Sequence, residues 1–187
     1  MEFRDSVDVV PLRLEPYQIY DLESHILLAY VGETRLSSGI IKKQTSRLVS
    51  GVPSSIASLQ RLRDLAYEAR TALLSDQYAE LARCIDEGWH CKSSLADSIS
   101  SPVVDNLYNV GINAGALAGK LIGAGGGGYM LFFVSPANRR YVFHQLETAG
   151  AAVAMNINFG SSGVFAWERR ANLASVPRLF GRSERLV

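Results

Sequence analysis

The sequence predicts an α+β domain: an antiparallel sheet covered on one face by helices. Three observations predict it. The segment His25–Val31 (HILLAYV) and the segment Tyr129–Val134 (YMLFFV) are short, branched or aromatic apolar runs of strand length. Between them lie long stretches in which apolar residues recur at three- and four-residue steps, the period of a helix with one buried side. The last third of the pattern reads helix, strand, glycine loop, strand, helix, strand, turn, strand, and such segregation of helices from strands is the α+β signature.

Taken in order, Val7–Leu14 reads as a strand or two short strands, interrupted near Pro11 and closed by Pro16. Asp21 marks a short turn, and His25–Val31 is a strand ended by Gly32. Ser37 or Ser38 caps the next helix, with Ile41, Thr45 and Leu48 on one side and Lys42, Lys43 and Arg47 around it. Pro53 suits the first turn of a long helix with the stripe Ile56, Leu59, Leu62, Ala66, Ala69 and Leu73. Ser75 or Asp76 caps a third, with Tyr78, Leu81, Ala82, Ile85 and Trp89. Trp89 can stack on a base or a sugar, although a Trp ending an apolar stripe is ordinarily core. Ser101-Pro102 opens a fourth, whose buried side is Val103, Leu107, Val110 and Ala114; Asp105 and Asn106 in its first turn read as local structure. A strand follows over Gly119–Ile122. After Tyr129–Val134, Ser135-Pro136 starts a helix through Val142, Leu146 and Ala149 that Gly150 stops. Ala152–Phe159 alternates as a half-exposed strand, and Gly160–Gly163 turns it into a closing strand over Val164–Trp167. From Arg169 the periodicity ends in a basic tail that reads as a loosely held extension.

The chain has 187 residues, 48% hydrophobic and 20% charged, which suits one domain with a real core. A net charge of +1 supplies no general attraction to nucleic acid or to an anionic membrane, and neither partner is expected. Cys84 and Cys91 stand two helical turns apart, match no zinc or redox spacing, and read as thiols in a reducing cytoplasm. His25, His90 and His144 are scattered and suggest no metal site. Met1 is followed by charged residues rather than an apolar core, so no leader is expected, and no apolar run reaches membrane-spanning length.

The most unusual composition is Gly123-Ala124-Gly125-Gly126-Gly127-Gly128. Residues without a Cβ are costly to order, and the usual return is a tight turn with backbone N–H groups free to approach a partner. An anion is the commonest such partner, because successive N–H groups make a concave nest. Gly123, Gly125 and Gly128 match G-x-G-x-x-G, yet a strand follows instead of the helix that a dinucleotide site needs. No Gly-Lys-Ser/Thr follows either, which excludes a Walker loop. The residues alone leave two readings, proximity to phosphate and close packing of two backbones.

Gly115-Ala116-Leu117-Ala118-Gly119-Lys120-Leu121-Ile122, continued by the glycine loop, resembles the third conserved motif of the GHMP kinases (galactokinase, homoserine, mevalonate and phosphomevalonate kinases), approximately G-A-x-G-x-K-x-x-G-A-G-x-G-G. Tyr30-Val31-Gly32-Glu33-Thr34-Arg35-Leu36-Ser37-Ser38, with Lys42-Lys43-Gln44 after it, is similar to the sugar-kinase branch that includes D-glycero-D-manno-heptose 7-phosphate kinases. The resemblance covers about residues 1–168, with 1–16 resembling the end of a preceding domain and 169–187 left as the tail. It implies a ferredoxin-like C-terminal domain and ATP-dependent phosphoryl transfer to a sugar or sugar-phosphate hydroxyl, with Mg²⁺. It places Gly123, Ala124, Gly125, Gly126, Gly127, Gly128 and Lys120 near phosphate, although the Lys120 side chain can equally point to solvent from a strand. Arg35, Ser38 and Lys42 are implied as acceptor-binding, against the plainer reading of a solvated cationic face. The family's nucleotide loop and its catalytic aspartate match nothing here. The expectation is therefore a C-terminal half with no catalytic residue of its own and no activity alone. It would be completed by an N-terminal half in cis or, as a separate subunit, in trans. A non-catalytic binding module on the same fold is the alternative.

Overall fold

The computed structural model describes residues 2–3, 7–32 and 37–159. β1 (Glu2–Phe3) and β2 (Val7–Asp8) form a short antiparallel pair. There follow α1 (Pro16–Ser24), β3 (Ile26–Gly32), α2 (Ser37–Val49), α3 (Pro53–Leu74), α4 (Tyr78–Ser93), α5 (Pro102–Asn113), β4 (Ala116–Leu121), β5 (Gly128–Val134), α6 (Arg139–Thr148) and β6 (Ala152–Ala154). The main sheet has the order β4–β5–β3–β6, and every neighbouring pair is antiparallel. The first strand of the unit thus lies between the third and the fourth, the ferredoxin-like arrangement that the motif implied.

Strand alternation decides what each face carries. Leu27 and Ala29 of β3 and Met130, Phe132 and Val134 of β5 point to one side, where Val104 and Leu107 of α5 and Val142 and Leu146 of α6 close over them. This is the helix-covered face expected from the sequence. The intervening residues Ile26 and Phe133 meet Ala72 of α3 and Leu81 and Ala82 of α4, so a second, smaller cluster fills part of the other face. Trp89 is 3% exposed and belongs to the larger cluster, which settles it as core. Cys84 is buried, Cys91 is half-buried, and both are free thiols.

Several local expectations are corrected. Pro16 does not close a strand: it occupies the first turn of α1, where its missing N–H is no loss, and the Glu15 N–H is met by Gln18 Oε1 at 2.9 Å. Asp21 accordingly lies inside a helix. Asp76 does not cap α4, whose first flanking residue is Gln77. Its carboxylate is taken by Gln18 Nε2 at 2.8 Å and Tyr17 Oη at 3.2 Å, which ties α1 to the α3–α4 turn. The buried stripes of three helices are shifted in phase. Ile40 and not Ile41 is buried in α2, Leu65 and Ala72 replace Ile56 and Leu59 in α3, and Val104 replaces Val103 in α5. β4 begins at Ala116, before Gly119. β6 pairs only over Ala152–Ala154, although half-burial continues to alternate through Val153, Met155 and Ile157. The expected strand Val164–Trp167 and the tail from Arg169 lie outside the described residues.

One anchor was not expected. The Arg139 guanidinium of α6 donates to Ile26 O at 3.0 Å and to Met155 O, pinning the start of β3 to the chain beyond β6. Arg139→Met is expected to lower stability by about 2 kcal/mol, since hydrogen bonds from a charged donor are worth roughly 1.5–3. Urea unfolding checks this, and an unchanged midpoint would mean that water serves both carbonyls equally well.

Candidate functional site

The glycine loop joins the edge strand β4 to the central strand β5. Ile122 N–H donates to Tyr129 O at 2.9 Å, the last rung before the chain opens. Five loop residues then take positive φ: Gly123 at 80°, Gly125 at 117°, Gly126 at 80°, Gly127 at 150° and Gly128 at 97°. L side chains rarely adopt these angles, which accounts for the glycine run without reference to volume. Gly126 N–H donates to Ile99 O at 2.8 Å, and Gly125 rests against the Ile99 backbone with no room for a Cβ. Among the described residues, the N–H groups of Gly123, Ala124, Gly125 and Gly127 have no protein acceptor. The middle of the loop is therefore held by the α4–α5 connection, and among the described residues four amides are left for another partner.

α4 packs along the exposed edge of β4 and stands in for a missing strand. Asp86 Oδ1 accepts from Gly119 N–H at 3.3 Å and from Tyr108 Oη at 2.8 Å. Burial, together with this bond to Asp86, holds the Tyr108 phenol well above the usual tyrosine range. His90 Nε2 lies 3.2 Å from Tyr108 Oη and 3.5 Å from Asp86 Oδ2. Two residues after His90, Lys92 Nζ donates to Leu121 O at 3.3 Å and to Gly123 O, so an ammonium braces the entrance of the loop. Burial, and secondarily the Lys120 charge, depresses Lys92 below the usual lysine range, and burial does the same to Lys120.

The expected residues divide as follows. Gly123, Ala124, Gly125, Gly126, Gly127 and Gly128 form one loop, with half-buried Lys120 on the strand leading into it. Lys42 is exposed on α2. Arg35 lies outside the described residues, as does the side chain of Ser38, so the structure does not assemble the acceptor group. Lys92, Asp86 and Ile99 were missed. A signal existed for two of them: Asp86 falls four residues after Ala82 and Lys92 three after Trp89, so charged groups sit in register with a buried stripe.

A metal needs a different set of groups. Among the described residues, Glu68, Glu80 and Cys84 bring donor atoms within 4.8 Å of one another. Both carboxylates are taken by arginine, Glu68 by Arg61 and Arg83 and Glu80 by Arg83, each at 2.5 Å. Those bonds hold both carboxyls below the usual range, and the cluster reads as an α3–α4 ion-pair network.

The sheet, the glycine loop and the helix at its edge define a domain of a known class. Residues 69–152 match the family described as GHMP kinases C terminal. The chain is 27% identical over 169 residues to the D-glycero-alpha-D-manno-heptose 7-phosphate kinase of Campylobacter jejuni, covering 89% of this chain and 49% of that protein. It is 31% identical over 133 residues to the bifunctional fucokinase/GDP-fucose pyrophosphorylase of Arabidopsis thaliana, covering 71% of this chain and 12% of that one. The chain thus spans half or less of these relatives. Among solved structures, a D-glycero-D-manno-heptose 1-phosphate kinase from Bacteroides thetaiotaomicron superposes with a TM-score of 0.55 at 25% identity, covering 80% of this chain and 38% of that one. A Listeria innocua protein shares the fold with a TM-score of 0.64 at 16% identity, covering 69% and 38%. Among the described residues no helix is long and apolar enough to cross a membrane.

Proposed function

We propose that this chain is the C-terminal half of an ATP-dependent sugar or sugar-phosphate kinase of the heptose 7-phosphate kinase type. The domain spans about residues 1–168, with 169–187 as a basic extension. The observation that carries the reading is the loop itself: four amides without an acceptor among the described residues, held open by positive φ, in a chain that covers 49% of its heptose-phosphate kinase relative. Phosphoryl transfer is mostly positioning and charge neutralisation, and a rigid row of donors serves both. When bound, ATP supplies the phosphoryl group and Mg²⁺ offsets its charge. The loop amides and Lys120 would hold phosphate oxygens, while Arg35, Ser38 and Lys42 would receive the acceptor. With Glu68 and Glu80 committed to arginine, the carboxylates for Mg²⁺ and the catalytic base belong to the other half.

The place for that half is also suggested. Ile122 and Tyr129 flank the glycine loop, and with Tyr30 they expose 45%, 50% and 39% of their surface on one side of the sheet. The Tyr30 and Tyr129 rings pack with centroids 5.2 Å apart beside a depression of about 260 Å³ that Ala152, Val153 and Ala154 complete. An apolar surface next to the loop suits a nucleotide-binding half seated over it. The free thiols fit a cytoplasmic setting.

The test is direct. The chain alone, given ATP and Mg²⁺, is expected to phosphorylate no member of a panel of heptose 7-phosphate, fucose, galactose and mevalonate. The complete protein with both halves is expected to phosphorylate one of the sugars. Turnover by the isolated chain would refute the division of labour, and failure of the complete protein on sugars and sugar phosphates alike would refute the kinase reading.

A further inference from the structure

Among the described residues, no carboxylate answers the charges of Lys92 and Lys120. Both ammonium groups are partly desolvated, and each is shifted toward its neutral form by burial. Lys92 Nζ lies 3.3 Å from the carbonyl of Leu121, the residue after Lys120, and the Lys120 charge further disfavours that on Lys92. By contrast, two half-buried arginines have carboxylate partners: Arg61 meets Glu68 and Glu87, and Arg47 lies 3.9 Å from Asp97. Two cations held together out of water without an anion are unfavourable, unless an anion arrives to satisfy both.

The geometry says where it would arrive. Lys92 Nζ carries three protons and directs two bonds to the carbonyls of Leu121 and Gly123, leaving one donor unassigned. Gly123 is also the first residue of the loop, and its own N–H has no partner among the described residues, like those of Ala124, Gly125 and Gly127. Lys120 precedes the loop by three residues on the same strand. Amides that favour negative charge and two uncompensated ammonium groups therefore share one short segment. α4 supplies one of those cations from outside the glycine motif.

We propose that Lys92 and Lys120 form, with the free amides of Gly123–Gly127, a two-cation subsite for a phosphate dianion or a polyphosphate. Lys92 has two roles in it: its bonds to the carbonyls fix the loop entrance, and its remaining donor meets the anion. The inference rests on the phosphate reading of the loop, and adds to it the α4 lysine and the requirement for two negative charges on the ligand. Nucleotide tails and phosphorylated acceptors share that chemistry.

Amide NMR of the ¹⁵N-labelled chain, titrated with sodium tripolyphosphate and in a parallel arm with glucose 6-phosphate, tests it. Shifts are expected at Gly123, Ala124, Gly125 and Gly127, and sodium chloride at equal ionic strength should not reproduce them. Lys92→Gln and Lys120→Gln should each weaken binding about 10-fold, the loss of one charge-assisted bond. Lys92→Arg, which keeps the charge and can still donate to a carbonyl, should recover most of it. Tighter binding of tripolyphosphate assigns the subsite to a nucleotide tail, and tighter binding of the sugar phosphate assigns it to the acceptor; either supports the subsite. Loop amides unmoved by both, or affinity equal in wild type and both Gln variants, overturns it. If the complete kinase turns over while the loop ignores these anions, the subsite fails and the kinase reading stands. If the loop binds these anions through both lysines while the complete protein shows no turnover, the subsite stands and the kinase reading fails.

Discussion

Gly111→Ala is expected to destabilise the domain by about 2–3 kcal/mol, although alanine is the better helix former by roughly 1 kcal/mol. The residue lies in α5 on the side that faces β5. A Cβ there would lie 2.2 Å from Phe132 Cε1, 2.6 Å from Cδ1 and 2.8 Å from Cζ. The ring cannot retreat to solvent, because Phe132 is 0% exposed at the centre of the larger cluster. It is hemmed in again at Gly119, where a Cβ would stand 2.8 Å from Tyr108 Cδ2 and 3.2 Å from Phe132 Cε1. Two glycines on two elements thus make the slot for one aromatic side chain and for the tyrosine that Asp86 holds. Interiors packed to crystalline density do not absorb a displaced ring without moving backbone. Urea unfolding of Gly111→Ala and of Gly111→Ala/Phe132→Leu decides the matter. The second change should return part of the loss by emptying the slot, and a more stable single variant would mean that helix propensity governs the site.

The same residues show what a sequence can and cannot declare. Ile26–Gly32 and Gly128–Val134 were legible because each is a short apolar run bounded by glycine, and their central place in the sheet follows from being buried on both sides. The order of elements from α5 to β6 was legible for the same reason. The phase of the helices was not. Ile40-Ile41, Leu65-Ala66 and Val103-Val104 each offer two adjacent apolar residues, and one residue is about 100° of rotation, so periodicity alone does not say which one faces inward. Packing chose Ile40, Leu65 and Val104. α1 was hidden because a proline after a strand-like run reads as a terminator, while its helical role depends on the Glu15–Gln18 bond. The loop could be found from composition, but its supports could not. Asp86, Lys92 and Ile99 stand 20 or more residues away in the chain, and only the fold brings them to β4 and the glycines.

Gly125 should be far less replaceable than Gly123, which separates steric need from conformational need. At Gly125 the φ of 117° is already unfavourable for any side chain, and a Cβ would lie 3.0 Å from Ile99 Cα and 3.1 Å from Ile99 O. Both are backbone atoms, and that same carbonyl accepts the Gly126 N–H at 2.8 Å. Alanine must therefore push the loop off its support and break the bond beside it. Strain of about 1–3 kcal/mol adds to the contact, and a total loss of about 3 kcal/mol is expected. Gly123 has a φ of 80° but open space around the added carbon, so alanine there should cost only about 1 kcal/mol. The two variants are compared by thermal unfolding, where about 3 kcal/mol in a domain of this size corresponds to a midpoint lower by roughly 6–12 °C. The functional readout should diverge as well. Gly125→Ala releases the amides from their fixed orientation and should abolish the tripolyphosphate response of the loop even at temperatures where the domain stays folded. Equal losses at the two positions would show that backbone conformation alone sets the requirement for glycine, and that the seat on Ile99 contributes nothing to holding the donors in place.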